Sequence, residues 1–196
     1  MTEQAHCTGD LESNLMRESF SPPPAPRTCC EFVRRVPDGD NMERDVCVKC
    51  GHVHYVNPKI VVGAVCSWHG RILLCRRAIE PRGGFWTIPA GYLEEQETPL
   101  EGAKREAWEE ATAKIEIDRL LAVYSVPRIS QVQLIYRAEL ATGDFAPGTE
   151  SLETKLFAWE EIPWSDLAFP SVHWALKHHR ETLGRNDFVP FDNPAS

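Results

Sequence analysis

Residues 98–113, from Thr98 to Ala113, constrain this chain more than any other segment. Thr98 can cap a helix, Pro99 suits the first helical position, and Glu101 stands where it completes a capping box. The spacing predicts a helix from Pro99 to Ala111. At about 100° per residue, Leu100, Ala103, Ala107 and Ala111 form one narrow stripe, and its alanines would let the helix lie close to a sheet. Beside that stripe Glu106, Glu109 and Glu110 project within roughly a 100° arc, so they repel one another. A charge run is ordinarily a solvated face. These carboxylates, however, sit toward the helix C-terminus, where the macrodipole disfavours negative charge, and Lys104 and Arg105 relieve only part of the repulsion. Hard oxygen ligands converging from one helix suit Mg2+ or Mn2+. The preceding Pro89-Ala90-Gly91 reads as a turn whose glycine brings backbone carbonyls close to such a cation.

The remainder of the chain frames that helix. Residues 1–28 mix charge, Ser and Pro without apolar periodicity and read as a flexible tail, because such a segment gains too little burial to offset ordering. Residues 29–58 are dense in Cys and turn formers, including Pro37-Asp38-Gly39-Asp40, and suit a small knuckle. From residue 59 β-branched runs begin: Ile60–Cys66, a His69-Gly70 turn, then Ile72–Cys75, which together read as a hairpin. Further strands are predicted at Phe85–Ile88, Ile115–Val126, Val132–Leu140 and Thr154–Trp159, with a second helix at Val172–Leu183. Mixed strands with two helices imply an α/β (α+β) sandwich over residues 59–185, followed by a C-terminal tail at 186–196.

A net charge of −8 over 196 residues repels a phosphate backbone, so no nucleic-acid partner is expected, and a phosphorylated ligand should arrive with metal. No run approaches the ~20 apolar residues of a membrane span, and the first thirty residues lack the apolar core of a signal peptide. A cytoplasmic protein without membrane contact is expected. Seven cysteines, two of them in Cys47-x-x-Cys50, then suggest metal binding before disulfides.

The run Gly91-x5-Glu97-x7-Arg105-Glu106-Ala107-x-Glu109-Glu110-x-Thr112-Ala113 resembles the box of the Nudix hydrolase superfamily. Every charged position is filled; the family's Gly is replaced by Thr112, a β-branched residue poorly suited to a left-handed cap. The resemblance implies a Nudix α/β/α sandwich with a mixed sheet. It also implies that Glu106, Glu109 and Glu110 hold metal with the backbone oxygen of Ala90, and that Glu97 and Arg105 form an orienting ion pair. Glu153, ten residues before Pro163, resembles the further metal-binding Glu of NADH- and FAD-pyrophosphatase relatives, with Glu150 as its rival. Glu109 or Glu153 would serve as catalytic base.

Residues 29–63 resemble the zinc ribbon that precedes some Nudix domains. Cys47 and Cys50 are the leading Zn2+ ligands. Where those proteins have a second Cys-x-x-Cys this chain has only Cys29-Cys30, so the fourth ligand would be Cys7, His52, His54 or water, or the ribbon has lost zinc. The phrases Gly84–Gly91, Ser130–Val132, Pro147–Glu153 and Glu161–Phe169 resemble the FAD and ADP-ribose pyrophosphatases of this branch. That likeness implies a small-molecule nucleotide substrate, release of AMP with FMN or ribose 5-phosphate, and a homodimer. NADH or a nucleoside triphosphate is the alternative substrate, and a non-catalytic nucleotide sensor the alternative class. Tyr124, Tyr136 and Trp164 are candidates for stacking on a base, although aromatics in or beside strands are first read as core.

Overall fold

The computed structural model describes residues 31–194. Cys29, Cys30, Cys7 and the tail expected at 1–28 lie outside them. The chain divides into two compact units, Met1–Val56 and Asn57–Ser196.

In the first unit β1 (Phe32–Arg35), β2 (Arg44–Cys47) and β3 (Val53–His54) form an antiparallel sheet in that order. The turn between β1 and β2 is built by Asp40. Its carboxylate accepts from the backbone N–H of Asn41 and Met42 and pairs with Arg44 Nε at 3.0 Å. After β2 the chain doubles back sharply. Gly51, at φ +73°, donates to the Cys47 carbonyl at 2.9 Å, and Cys47 N–H donates to His52 O at 2.8 Å. Cys47 is buried and Cys50 exposed on this knuckle.

The second unit begins with β4 (Lys59–Trp68) and β5 (Arg71–Arg77). The expected hairpin is real but short: only Ser67↔Ile72 and Trp68↔Arg71 pair across the turn. Beyond them the strands part, because β4 and β5 acquire separate partners. β6 (Trp86–Thr87) pairs with β5, and β7 (Ala90–Tyr92) pairs with β4. Thus Ala90 and Gly91 belong to a strand and not to the turn expected of them. After helix α1 (Pro99–Ala111) come β8 (Ile115–Val126), β9 (Gln131–Leu140), β10 (Ser151–Phe157) and helix α2 (Pro170–Glu181). The sheet order is β10-β5-β4-β9-β8, mixed because β4 and β9 run parallel while the other pairs are antiparallel.

The two-residue period of the strands divides their side chains between two cores. Val62, Ala64 and Cys66 of β4, with Leu73 and Cys75 of β5, pack against Ala103, Ala107 and Ala111 of α1. Val65, Ile72 and Leu74 belong to the other core, with Val172, Ala175 and Leu176 of α2. The sheet is therefore a filling between two helices, the α/β/α sandwich expected. Leu100 departs from expectation: it is exposed, and Gly102 takes its place on the sheet side. A Cβ on Gly102 would come within 2.9 Å of Val62 Cγ2, so only glycine lets α1 settle this close.

Residues 186–194 lie along β8. Phe191 exchanges backbone bonds with Leu121 and Val123, both at 2.9 Å, and stacks on His178 with centroids 4.1 Å apart. Asn193 bonds both backbone groups of Ser125. Among the described residues no helix is long and apolar enough to cross a membrane.

Candidate active site

The start of α1 is built as its sequence requires. Thr98 Oγ1 accepts from Glu101 N–H at 3.3 Å, and the Glu101 carboxylate accepts from Thr98 N–H at 2.8 Å. A cap of this kind is worth about 1 kcal/mol. The C-terminus is secured from outside. Thr112 adopts the left-handed conformation (φ 50°, ψ 26°) despite its branched Cβ. Its hydroxyl donates to Ala146 O at 3.0 Å, while Ala146 and Gly148 N–H donate to the carbonyls of Ala111 and Glu110. The last carbonyls of α1 are thereby satisfied by the loop after β9. A side chain on Gly148 would overlap the carbonyl of Glu109.

With both ends held, the carboxylates of α1 take different environments. Glu106 and Glu110 are 8% and 6% exposed, whereas Glu109 is exposed. Glu106 lies over Gly91 of β7, where a Cβ would overlap its carboxylate. Glu110 accepts from Ala90 N–H at 3.2 Å. Burial raises the pKa of both: for Glu110 desolvation, only partly offset by the Ala90 N–H, carries it to about 8, and for Glu106 desolvation outweighs the Arg105 hydrogen bond.

Arg105 organises one side of this cluster. It makes two bonds to Glu97, at 2.7 and 3.0 Å, and one each to Glu106 (2.7 Å), Glu109 (2.9 Å) and the Tyr92 carbonyl (3.0 Å). The Arg105 hydrogen bonds, with a further N–H from Glu94, hold the Glu97 carboxyl down at about 2. The ion pair expected of Glu97 and Arg105 is thus present, and it reaches the helix carboxylates as well.

Arg105, Glu106, Glu109 and Glu110 line a cleft of about 1160 Å³, together with Ala90, Gly91, Tyr92 and Trp108 on one side and Phe169 and Trp174 of the α2 region on another. Arg77, Arg128 and Glu150 line it too. Glu153 does not. Its carboxylate sits 3.9 Å from Arg76, and it lies on β10 beyond a bulge between Ser151 and Glu153. The loop carboxylate that raises the pKa of Glu106 and Glu110 by its charge is Glu150. The three aromatics expected to stack also lie elsewhere. Tyr124 is fully buried with its hydroxyl 2.7 Å from His178 Nδ1, Tyr136 is buried in the α1-side core, and Trp164 packs against Trp159 and His173. Among the described residues the cleft's aromatics are Tyr92, Trp108, Phe169 and Trp174. Of these, Tyr92 and Trp108 were locatable from sequence, one adjoining Gly91 and the other lying between Glu106 and Glu109 on the helix. Cys66 and Cys75 are buried between α1 and the sheet.

The donor set suits a hard cation. Among the described residues no hydrogen-bond donor reaches Oε2 of Glu106, Oε1 of Glu110 or either oxygen of Glu150. As they stand, no three His, Cys, Asp or Glu side chains among the described residues surround a common point. Arg105 bonds both Glu106 and Glu109 and supplies part of their counter-charge.

The profile described as "NUDIX domain" matches residues 57–181, and the zinc-ribbon profile described as "Nudix N-terminal" matches residues 27–56. A crystal structure of a NUDIX hydrolase from Nitrosomonas europaea is 46% identical, with a TM-score of 0.79 over 86% of this chain and 98% of that one. A "MutT-like protein" of Streptomyces ambofaciens is 35% identical over 102 residues, 52% of this chain; the chain spans 64% of its length. An "ADP-ribose pyrophosphatase" of Methanocaldococcus jannaschii is 29% identical over 119 residues, 59% of this chain and 69% of that protein. With the carboxylate helix, the sandwich and the family profile all agreeing over residues 57–181, the chain belongs to the Nudix family.

Proposed function

We propose that this chain hydrolyses the pyrophosphate bond of nucleoside diphosphate derivatives with Mg2+ or Mn2+. ADP-ribose and FAD are the favoured substrates, giving AMP with ribose 5-phosphate or FMN. The observation that carries the reading is the pair of buried carboxylates, Glu106 and Glu110, facing a large cleft with one oxygen each that no donor among the described residues reaches. Burying two like charges is costly unless a cation accompanies them.

The phosphorus of a pyrophosphate is shielded by negative oxygens, and divalent cations, when bound, neutralise them and acidify a water. Glu106, Glu109, Glu110 and the Ala90 carbonyl would hold the cations. Glu150 takes the part expected of Glu153, because it lines the cleft and Glu153 does not. Glu109 and Glu150, both exposed, are the groups placed to accept the proton of the attacking water. Arg105, fixed by Glu97, orients Glu106 and Glu109. The name of the Methanocaldococcus relative supports ADP-ribose, and a cleft of about 1160 Å³ has room for a dinucleotide-sized molecule. In the N-terminal unit Cys47 and Cys50 would hold Zn2+, completed by Cys29 or Cys30, and the protein would act as a homodimer.

The test is turnover of ADP-ribose, FAD, NADH, diadenosine polyphosphates and dNTPs with Mg2+ and Mn2+, with products separated by chromatography. Release of AMP from ADP-ribose or FAD is expected. Tight binding of ADP-ribose without turnover of any compound would replace the hydrolase with a sensor.

A further inference from the structure

One wall of the cleft is aromatic, with Phe169 and Trp174 supplied by the α2 region. Trp174 is half-buried, and its ring meets that of Tyr124 edge to face, centroids 5.4 Å apart and planes at 73°. Tyr124, fully buried on β8, has its hydroxyl 2.7 Å from His178 Nδ1. Trp174 and His178 are four residues apart and so share one face of α2, and Tyr124 meets both. Phe191 then stacks on His178, centroids 4.1 Å apart and planes at 8°. The rings of Trp174, Tyr124, His178 and Phe191 thus run in contact from the cleft to the segment that lies along β8.

Phe191 is held there by main-chain bonds that its side chain does not supply. It exchanges backbone bonds with Leu121 and Val123, both at 2.9 Å. Two residues on, Asn193 Oδ1 accepts from Ser125 N–H at 2.8 Å and Nδ2 donates to Ser125 O at 2.7 Å, next to Val126 in the cleft wall. The side chain of Phe191 is therefore left to fix His178. His178 in turn fixes Tyr124, whose buried hydroxyl has no other hydrogen-bond partner among the described residues and would be costly to leave unpaired. Cations on the carboxylate helix can serve the phosphates of a nucleotide, but they offer nothing to its flat base. We propose that Phe191 is a positioning residue: acting through His178 and Tyr124, it fixes the Trp174 ring, which receives the base of a nucleotide in the cleft. The inference rests on the cleft being a nucleotide site and not on hydrolysis taking place there.

The experiment measures binding of AMP and of ribose 5-phosphate to the full chain with Mg2+ present. Neither ligand contains a pyrophosphate bond, and they differ in the presence of the base. Wild type, Phe191→Ala, Phe191→Tyr, Trp174→Ala and the double variant Phe191→Ala with Trp174→Ala are compared, and a thermal melt of each monitors the fold. Wild type should prefer AMP by about tenfold, the scale of one base stacked on an aromatic side chain. Phe191→Ala should weaken AMP by about fivefold and leave ribose 5-phosphate unchanged, and Phe191→Tyr, which keeps the ring, should restore the loss. In the Trp174→Ala background Phe191→Ala should add nothing, because both act through one contact. KM for ADP-ribose should rise in step with the AMP loss while kcat stays within about twofold. A wild type without preference, unchanged AMP affinity in Phe191→Ala, equal losses for both ligands, or full additivity with Trp174→Ala overturns the assignment and leaves Phe191 as a support for α2. If neither wild type nor any variant turns over any compound yet Phe191→Ala weakens AMP alone, the hydrolase reading fails and this one stands.

Discussion

Glu106 occupies the space where Gly91 would carry a side chain: a methyl group there would overlap all three carboxylate atoms. Gly91 is in a strand, paired with Val62, and not in the left-handed conformation. The glycine therefore serves close approach. Gly91→Ala should lower the melting temperature by several degrees, the usual effect of overpacking by ~1–3 kcal/mol. It should also reduce kcat with ADP-ribose by about a hundredfold as Glu106 is displaced. Full activity in a folded Gly91→Ala protein would show that Glu106 can move without consequence.

Glu110, raised to about 8 by burial, holds a proton at neutral pH when no cation is bound. A cation must displace that proton. Affinity for Mn2+ should consequently rise with pH by up to about tenfold per unit below pH 8 and level off above it. Calorimetry in buffers of different ionisation enthalpy should detect proton release at pH 7. In Glu110→Gln the release should vanish and Mg2+-dependent turnover should be lost while the fold survives; equal activity in mutant and wild type would remove Glu110 from the mechanism.

Glu150, in the loop before β10, lines the cleft, whereas Glu153 lies on β10 outside it. Glu150→Gln should reduce kcat by at least tenfold with little change in stability. Glu153→Gln removes only a 3.9 Å surface pair with Arg76 and should leave kcat within about twofold, since exposed ion pairs contribute little. The reverse ranking in steady-state kinetics would return the role to Glu153.

His179 is 3% exposed, both ring nitrogens lack a hydrogen-bond partner among the described residues, and burial followed by the charge of Arg137 lowers its pKa to about 4. The unfolded chain takes up a proton near pH 6.5 that the folded chain refuses. Stability should thus be lost as pH falls from 6.5 toward 4, by about 2 kcal/mol at pH 5. Urea denaturation of wild type and His179→Phe at pH 7.5 and pH 5 isolates this contribution from other titrating groups. The phenylalanine variant should lose less stability on acidification, and parallel losses would count against a buried neutral imidazole.

The carboxylate helix was legible in the sequence because its information is local: Thr98, Pro99 and Glu101 state where it starts, and a period of 3.6 residues states which side chains share a face. The strands Ile115–Val126 and Val132–Leu140 were legible for the same reason, β-branched runs bounded by turn residues. Other features depend on segments far apart in the chain. That Gly91 accommodates Glu106, and that the loop bearing Glu150 caps α1 through Thr112 and Gly148, follow from packing between residues 15 to 38 apart in the chain. Tyr124 and Tyr136 show the limit from the other side. Strand periodicity places each on one face of the sheet, but only the helices laid over both faces make both faces interior. The family, the helix and the charge that asks for a cation are readable from the chain alone, because they reside in spacing along it. Which carboxylates are buried, which loop Glu lines the cleft with them and how many of them Arg105 bonds depend on the folded chain, because burial and hydrogen-bond saturation are properties of neighbours in space.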